Sequence, residues 1–555
     1  MAGKLPKPGQ MARSPKKNHR NHSPNKGNRK GAAEAGSSPA NRHWVSVGLI
    51  LICLFGLWLR FPALDQKPLH HDEANQAVKF GDLLESGVYE YDPVDHHGPT
   101  LYYLTLPIAW LKGEKSLAEI DEWTIRLLPL VFGVGILALP GLARGALGKV
   151  GVLVTSLLLA TSPVFVYFSR YYVQEMLFVF FSLGALVSLW RYQVSRQLSW
   201  AVWFGLFCGL MHTTKETCVL SFAAMIAGTG VLLLEPYLKT KKINFRQLGD
   251  PKAAAWALRA WVIVGVVFFS SFFTHWEGVG KALGAYFHTV DRAGGQGHAK
   301  PFSWYWSILY QYKEEGYRST ELPLLLAGLV GIIFSIVDKP RNARSKAARF
   351  LTVYTLALWC VYGLIPYKTP WLTMNFLLGF ALLGGHGVDR LLKVVRFNDA
   401  RIVLLLLLAC GLFAAKDRAQ LATTIYAPDM RNPYAYVHTT EDFVTMMKEI
   451  RNLAQLHERG NDCRVKVFTT SQAEHWPMPW YLRDFPKVTY FVGVPEDSYL
   501  ESDFLIVHPD LKEELVGRLT KDYSDPHKDY SLREGIILNL LYRQTIWDAF
   551  LKSQP

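Results

Sequence analysis

Cysteine is scarce in this sequence, because its 555 residues contain only six. Cys463 stands alone in the C-terminal region, so no disulfide can form within that region. The other five fall in or at the edges of apolar segments: Cys53, Cys208, Cys218, Cys360 and Cys410. This usage is that of a membrane protein without disulfides.

Acidic residues are nearly absent from the first 43 residues, which hold ten Lys or Arg and a single Glu and show no apolar periodicity. A basic segment rich in Pro, Gly, Asn and Ser is predicted to be disordered. The formal net charge of +14 would suit nucleic acid, but much of the excess lies in this tail. We therefore predict a cytoplasmic tail, residues 1–43, that contacts membrane lipids, and no nucleic-acid partner.

Hydrophobic residues make up 50% of the chain and are gathered in blocks, which predicts a polytopic membrane protein. The first block, residues 44–59, has no small-residue cleavage site after it, which favours a retained helix over a signal peptide. Residues 99–111 are too short to cross and are predicted to be re-entrant or interfacial. With the first block, about eleven spans result, the others at residues 124–143, 150–167, 175–191, 199–212, 217–235, 258–274, 320–337, 350–366, 371–388 and 401–415.

Basic residues recur in alternate loops, for example at residues 239–252, 339–349 and 390–401. The positive-inside rule places these loops in the cytoplasm and the C-terminus outside. Residues 416–555 alternate helical and β-rich runs, so they are predicted to form a small extracytoplasmic α/β domain. The membrane domain is then residues 44–415, a mostly α-helical unit in the cytoplasmic membrane.

Four of the predicted outer turns carry charged residues at the ends of spans, and the topology places them on one side of the membrane. One follows the first helix, in a segment from residue 70 to 104 that contains four histidines and seven carboxylates. Such a cluster beside a bilayer indicates a functional site. The four turns comprise residues 70–73, 169–175, 212–216 and 367–371.

These turns contain the residue types that sugar transfer from a lipid phosphate requires. Arg170, Lys215 and Lys368 could hold a phosphate. Asp72 or Glu73 could take a proton from an attacking hydroxyl. The remaining candidate substrate-binding residues are aromatic, acidic or imidazole side chains: His71, His97, Tyr171, Glu175 and Trp371.

Other interpretations stay open for each of these residues. The cations could be interface anchors, which is the usual role of cations at helix ends. Arg170 with Glu175, and Lys215 with Glu216, could be plain ion pairs. The histidines and acids of residues 70–73 are metal-ligand types, but no His-x-x-x-His spacing accompanies them, so a divalent metal ion is left open.

Several motifs resemble those of the GT-C membrane glycosyltransferases, which include protein O-mannosyltransferases and aminoarabinose transferases. They are Asp72-Glu73 after the first helix, the His-Gly-Pro-Thr-Leu-Tyr-Tyr run at 97–103, Arg126-Leu-Leu-Pro, and Ser169-Arg170-Tyr171 with Glu175. Tyr-Lys-Thr-Pro-Trp at 367–371, with the runs at 432–439 and 476–482, resembles the flippase-activity-associated branch.

The resemblance implies a polyprenyl-phosphate sugar donor, an inverting transfer to a lipid, glycan or protein acceptor, and Asp72 as general base. A flippase or transporter for lipid-linked sugar, or a non-catalytic partner of a glycan-assembly complex, is the alternative. The absence of an internal repeat of spans argues against a transporter. In the C-terminal region, the aromatic run 475–481 is either a plug packed on the bundle or a lid over the site.

Overall fold

The computed structural model describes residues 40–94, 97–242, 248–294, 299–496 and 499–553. Most of these residues are helical. The helices are α1 (Ala40–Arg60), α2 (His71–Ser86), α3 (Thr100–Lys112), α4 (Glu122–Ala138), α5 (Arg144–Leu147), α6 (Lys149–Thr161), α7 (Pro163–Phe168), α8 (Glu175–Ser195), α9 (Leu198–Thr214), α10 (Cys218–Thr240), α11 (Pro251–Phe269), α12 (Glu277–Ala293), α13 (Trp304–Tyr310), α14 (Leu322–Val337), α15 (Ala343–Leu364), α16 (Met374–Val394), α17 (Asn398–Thr423), α18 (Glu441–Leu456), α19 (Met478–Tyr481), α20 (Pro509–Gly517) and α21 (Gln544–Ser553).

Eight helical segments of the described residues are long and apolar enough to cross a membrane. Two shorter apolar helices, Lys149–Thr161 and Leu322–Val337, accompany them. The predicted count of about eleven spans is therefore not confirmed. The eight segments are His43–Arg60, Glu122–Leu147, Glu175–Ser195, Cys218–Thr240, Pro251–Phe269, Ala343–Leu364, Pro370–Val394 and Asn398–Thr423.

The predicted span 150–167 is divided into α6 and α7 at Ser162-Pro163. Proline lacks a backbone N–H and favours the first turn of a helix, so α6 ends and α7 begins here. The Ser162 hydroxyl caps α7 by accepting from the Phe165 N–H at 3.4 Å. Buried Glu321 accepts from Ser162 Oγ and from the Val164 N–H, each at 2.9 Å. The break thereby joins α7 to the start of α14.

Helix α16 lies at the centre of the bundle and contacts α6, α14 and α15. Its approach to α14 is close: a Cβ placed on Gly331 would lie 1.9 Å from the carbonyl oxygen of Leu383. Only glycine fits there, as expected where two helix backbones meet through small residues. Because α16 runs the length of the bundle, the turn 367–371 before it and the loop after Val394 lie at opposite ends of the bundle.

The C-terminal region contains a six-stranded mixed sheet with the order β4-β3-β5-β8-β6, and β7 also pairs with β8. Strand β3 runs parallel to β4 and β5, whereas β8 is antiparallel to its partners. Val465 of β3 aligns with Val488 and Phe504. The strands are β3 (Val465–Thr469), β4 (Val488–Val492), β5 (Phe504–Val507), β6 (Tyr523–Ser524), β7 (Asp529–Arg533) and β8 (Ile536–Arg543); a separate hairpin joins β1 (Tyr312–Glu314) and β2 (Tyr317–Ser319).

The predicted fold class, a helical membrane protein with a small C-terminal α/β region, is confirmed. One buried hydrophobic cluster runs from the bundle into that region and includes Leu69, Trp371, Trp480 and Ile506. Residues 45–555 form one compact unit. The predicted boundary at residue 415 falls within α17, which continues to Thr423. The predicted disordered tail lies outside the described residues up to residue 39.

Candidate active site

The structure brings the four charged turns together at one end of the bundle. The N–H of Tyr172, in the second turn, donates to Glu73 of the first turn at 3.1 Å. Glu175 and Lys215 join the second turn to the third through an ion pair. The ring of His70 lies 5.8 Å from Trp371 of the fourth turn. The predicted convergence of these turns is thus present in the fold.

Glu73 is fully buried and is the polar centre of this end of the bundle. Its oxygens accept from Lys67 Nζ at 2.7 Å and from Arg126 Nε at 2.9 Å, in addition to the N–H groups of His70 and Tyr172. Burial alone would raise the pKa of Glu73, but the charges of Arg126 and Lys67 outweigh it and lower that pKa. Glu73 is therefore a carboxylate held by two cations, and it fixes the loop before α2.

Arg126 completes this network from α4. Its Nη1 donates to the carbonyl oxygens of Leu64 and Lys67 at 2.8 and 2.9 Å. Since its guanidinium is fully buried, these bonds and the pair with Glu73 satisfy a charge that would otherwise be costly. The network orders the segment 64–73 and thereby places the start of α2.

Asp72 lies at the N-terminus of α2, and its side chain is 40% exposed. The helix begins at His71, and the His70 ring caps it by accepting from the Asp72 N–H at 3.0 Å. The positive end of the helix dipole favours a carboxylate at this position. Of the two predicted bases, Asp72 has a partly exposed side chain, whereas that of Glu73 is buried.

The C-terminal region contributes side chains to the same place. Arg533 Nη1 donates to His71 Nδ1 at 3.0 Å, and its Nη2 donates to the carbonyl oxygen of Ala473 at 3.0 Å. The ring of Trp476 lies 6.2 Å from the His71 ring. The Asp72 carboxylate contributes to the electrostatic surroundings of Arg533. The sheet region therefore forms one wall of the candidate site.

Aromatic rings form a second wall around His70. Tyr171, Trp371 and His438 all lie between 5.6 and 5.8 Å from its ring. His70 Nε2 is 3.0 Å from the carbonyl oxygen of Tyr436. Burial lowers the pKa of His438 well below its usual value. The predicted aromatic residues Tyr171 and Trp371 thus lie together beside the start of α2.

Several buried polar atoms of these walls lack a hydrogen-bond partner among the described residues. They include Tyr171 OH, His438 Nε2, Tyr305 OH and Thr369 Oγ1. Buried polar groups are normally hydrogen-bonded, so each of these atoms could accept or donate a bond to a bound molecule. Tyr171 and Thr369 belong to the predicted turns 169–175 and 367–371.

The three predicted phosphate-binding cations have different surroundings. Arg170 is buried, and its fork donates to the carbonyl oxygens of Thr423 at 3.1 Å and Ala63 at 2.6 Å. Burial lowers the pKa of Arg170 to about 10. Lys215 is paired with Glu175, whereas Lys368 contacts the carbonyl oxygen of Ile365 and lies 5.7 Å from the centre of the Tyr305 ring.

His97 is joined to the third turn. Its Nδ1 lies 2.9 Å from Glu216 Oε2, and Tyr91 OH donates to the other oxygen at 2.9 Å. Burial would raise the pKa of Glu216, but His97 outweighs it, so the value is about 2. A Cβ on the next residue, Gly98, would lie 2.1 Å from the carbonyl oxygen of Thr213, so glycine permits this contact. Glu216 therefore pairs with His97 and not with Lys215, which pairs with Glu175.

The residue types at 70–73 left a divalent metal ion open. No group of three or more His, Cys, Asp or Glu side chains positioned to hold a metal ion occurs in the described parts of the chain. His70 Nδ1 accepts from the Asp72 N–H, and His71 Nδ1 accepts from Arg533. These nitrogens are therefore used in the protein's own hydrogen bonds.

Sequence reasoning did not single out five residues that the structure places at the site: Lys67, Arg126, Tyr436, His438 and Arg533. Arg126, Tyr436 and His438 belong to motifs that carried the family resemblance, so a signal for them was present. Arg533 is 462 residues from its partner His71, and no local pattern marks it. Trp476 lies at the site, but Trp480 of the same aromatic run is fully buried and donates to Glu122 at 3.2 Å.

Two large cavities lie away from this cluster. One, of about 580 Å³, is lined by the loop between α14 and α15 and by the end of α16. The other, of about 600 Å³, lies in the C-terminal region near Arg459 and Arg543. The candidate site is therefore defined by its side chains and not by the size of an open cavity.

Comparison with known proteins supports the same fold. The sequence model of the family described as dolichyl-phosphate-mannose-protein mannosyltransferase matches residues 106–249. No curated protein sequence matches the chain.

Solved structures match over most of the chain. ArnT from Cupriavidus metallidurans bound to undecaprenyl phosphate is 14% identical, with a TM-score of 0.58, over 90% of this chain and 98% of that one. The apo oligosaccharyltransferase of Archaeoglobus fulgidus is 13% identical, with a TM-score of 0.56, over 88% and 70% of the two chains. These matches show that the chain has the fold of the GT-C membrane glycosyltransferases, and its long apolar helices are those of an integral membrane protein.

Proposed function

We propose that this protein is a membrane glycosyltransferase that moves a sugar from a polyprenyl-phosphate donor to a hydroxyl of a lipid, glycan or protein acceptor. The observation that carries the proposal is the position of Asp72. Its partly exposed carboxylate lies at the N-terminus of α2 in a GT-C fold. The aromatic wall at His70 and Trp371 lies beside this helix start, and so does Arg533 of the C-terminal region. Similar structures support this donor class, because ArnT is bound to undecaprenyl phosphate and the archaeal oligosaccharyltransferase AglB is in complex with a dolichol-phosphate.

The proposed reaction is a single displacement that inverts the anomeric carbon. The acceptor oxygen forms a bond to that carbon while the bond from the carbon to the phosphate oxygen breaks. Asp72 takes the proton of the acceptor hydroxyl, and the electron pair of the broken bond leaves with the polyprenyl phosphate. A positioned general base of this kind contributes on the order of 10²–10⁴ in rate.

The leaving phosphate requires a cation, because charge develops on it as the bond breaks. We assign this role to Lys368, whose ammonium contacts a backbone carbonyl and an aromatic face and forms no ion pair with a carboxylate of the described residues. Lys300 lies in a neighbouring segment, since its N–H donates to the carbonyl oxygen of Pro366 at 3.0 Å, and it is the second candidate. Arg170 is assigned a structural role because two backbone carbonyls already occupy its guanidinium.

The connection between the base and the phosphate site runs along the aromatic wall. Tyr305 contacts Lys368, and the neighbouring Trp304 ring lies 6.0 Å from Tyr436. The Tyr436 carbonyl in turn meets His70, whose Nδ1 contacts the Asp72 N–H. Sugar rings stack on aromatic faces, so a donor sugar held along this wall would extend from Lys368 towards Asp72.

The proposed orientation places the site on the outer leaflet of the cytoplasmic membrane. The basic loops at the other end of α16 and α14 would then face the cytoplasm, as the positive-inside rule requires. The C-terminal region contacts the site through Arg533 and Trp476, so it would lie on the same outer side.

The proposal is tested by supplying purified protein with a panel of polyprenyl-phosphate sugars and a mixed set of acceptors. Release of polyprenyl phosphate together with a glycosylated acceptor is the expected result. A flippase for lipid-linked sugar would instead move the intact donor across a proteoliposome membrane without releasing polyprenyl phosphate. That outcome, or the absence of both activities across the panel, would contradict the proposal.

A further inference from the structure

A second polar site lies at the other end of the bundle from the candidate active site. A cavity of about 580 Å³ opens between the loop joining α14 to α15 and the last turns of α16. Helix α16 has 21 residues, so its two ends are about 30 Å apart. Trp371 of the candidate active site precedes the start of α16, and Lys393 of this cavity lies near its end. We call this cavity the basal pocket.

The basal pocket is strongly cationic. Its lining includes one carboxylate, Asp338, and five basic residues: Lys339, Arg341, Arg344, Arg390 and Lys393. Arg390 is paired with Asp338 in a bidentate geometry at 2.7 and 2.9 Å. The positive charge of the lining thus exceeds the negative charge that faces it.

The remaining pairs leave part of this charge uncompensated. Arg344 and Lys393 share a single carboxylate, Asp389, which is 2% exposed. Lys339 and Arg341 are exposed and form no ion pair with any residue that the structure describes. Such a surface attracts an anion, and Arg favours phosphate because its fork gives two parallel hydrogen bonds.

A buried histidine points to a ligand independently of the charges. His386 lines the basal pocket and is 2% exposed. Its Nδ1 lies 3.2 Å from the carbonyl oxygen of Ala146, but its Nε2 has no hydrogen-bond partner among the described residues. A nitrogen that is nine-tenths buried and unsatisfied indicates that a further polar group completes the pocket.

Exposed apolar side chains lie in the chain beside residues that line the basal pocket, and this group, which we call the apolar rim, favours a lipid over a free anion. Val337 lines the pocket and is 71% exposed. Ile336 beside it is 66% exposed, and Val394 and Phe397, which follow Lys393, are 54% and 79% exposed. Acyl chains would cover these side chains while the phosphate reached the basic lining, an arrangement known for basic pockets between membrane helices.

We propose that the basal pocket binds the phosphate-bearing headgroup of an anionic membrane lipid. Lys339 and Arg341 would contact the phosphate from the loop between α14 and α15, and His386 would contact it from α16. The acyl chains would lie against the apolar rim. This site is separate from the candidate active site and does not depend on the proposed transfer reaction.

Binding of short-chain lipids to the purified full-length protein tests the proposal. The probes are dihexanoyl phosphatidic acid, dihexanoyl phosphatidylcholine and inorganic phosphate, each titrated by calorimetry below its aggregation threshold. Phosphatidic acid should bind at least tenfold more tightly than the other two. The double variant Lys339→Ala/Arg341→Ala should weaken its binding by about 25-fold, since each cation near a lipid surface contributes about 1 kcal/mol.

The matched control is Lys242→Ala/Lys252→Ala, which removes two exposed cations outside the basal pocket. It should leave binding of phosphatidic acid unchanged. His386→Gln should weaken binding, and the exposed double variant keeps the test valid if that buried substitution unfolds the protein. Equal binding of phosphatidylcholine, or an unchanged affinity in the double variant, would overturn the proposal. If inorganic phosphate binds as tightly as phosphatidic acid, the proposal that the bound phosphate belongs to a lipid is wrong.

Discussion

Arg533 donates a hydrogen bond to His71 across 462 residues of sequence, from strand β7 to the first turn of α2. The same guanidinium is tied to its own region through the carbonyl oxygen of Ala473. The sheet region therefore does more than cover the bundle, because it supplies a fixed cation beside the proposed base. This contact motivates the first prediction.

Arg533→Ala should reduce the rate of transfer without unfolding the protein. Removing a cation near a carboxylate raises the pH at which that carboxylate is protonated. The acid limb of the rate profile should therefore move to higher pH, and measuring initial rates between pH 4 and pH 8 checks this. Arg533→Lys should restore the profile in part.

The control is Arg518→Ala, which removes a guanidinium that donates to the carbonyl oxygens of Pro495 and Glu496. Its pH profile should match the wild type. A rate loss in Arg533→Ala with no shift of the acid limb would show that Arg533 only holds the two regions together.

Asp72→Asn should abolish transfer while leaving thermal stability unchanged. The amide keeps the size of the side chain but cannot accept the proton, which costs on the order of 10²–10⁴ in rate. The rate of polyprenyl-phosphate release by the purified variant is the measurement. Asp82→Asn, on the exposed face of the same helix at 61% exposure, is the control and should turn over normally. Wild-type turnover in Asp72→Asn would remove Asp72 from the mechanism.

Glu73→Gln should destabilise the protein instead of acting on the chemical step. The substitution leaves Lys67 and Arg126 buried beside a neutral amide, and breaking a buried pair in this way costs about 3–5 kcal/mol. The thermal midpoint of the purified variant in detergent should therefore fall well below that of the wild type.

The pH dependence of this effect has a defined sign. The pKa of Glu73 is lower in the folded protein, so its stabilising contribution is complete above the unfolded value of about 4.3. This contribution is lost as the pH falls from that value through the pKa that Glu73 has in the folded protein. The stability difference between wild type and Glu73→Gln should thus shrink on acidification below pH 4.3. A constant difference across that window would contradict the ion-pair explanation.

Trp476 and Trp480 form a matched pair that separates lid from plug. Trp480 is fully buried against Glu122 and the Arg483 guanidinium, so Trp480→Ala should cost about 3–5 kcal/mol of stability. Trp476 is half-buried beside His71, and Trp476→Ala should raise the acceptor KM by about two- to tenfold with little change in stability. Melting curves and acceptor titrations on both variants measure this. If Trp480→Ala instead raises the acceptor KM and Trp476→Ala instead lowers stability, Trp480 is the lid residue.

Topology can be tested without any assumption about activity. Cys463 is fully buried, so its thiol is a poor reporter of sidedness. Glu513→Cys and Lys346→Cys, both at exposed positions, replace it in a chain without the native cysteines. An impermeant thiol reagent should label Glu513→Cys in cells stripped of any outer barrier, and Lys346→Cys only after the membrane is opened. Labelling of Lys346→Cys in intact cells would invert the proposed orientation.

The sequence alone determined that the chain is a mostly helical membrane protein with a small C-terminal α/β region, and it predicted that four charged turns meet at one end of the bundle. Long apolar blocks and alternating basic loops are one-dimensional signals, because a bilayer imposes length and polarity on each segment separately. The break at Ser162-Pro163 was also visible in the sequence, yet the span 150–167 was predicted as a single helix. The number of spans depends on such breaks, and it was accordingly the less exact part of the prediction.

Only the tertiary structure decided what each charged side chain contacts. Asp72 and Glu73 are adjacent and chemically alike, but the helix start turns one outward and the other into a network with Lys67 and Arg126. Arg170 and Lys368 were both predicted to bind phosphate, but Arg170 donates to two distant backbone carbonyls and Lys368 contacts only a nearby one. These outcomes depend on contacts between residues that are distant in the chain, as with Arg533 and His71, and no local pattern encodes which groups a fold will bring within 3 Å of each other.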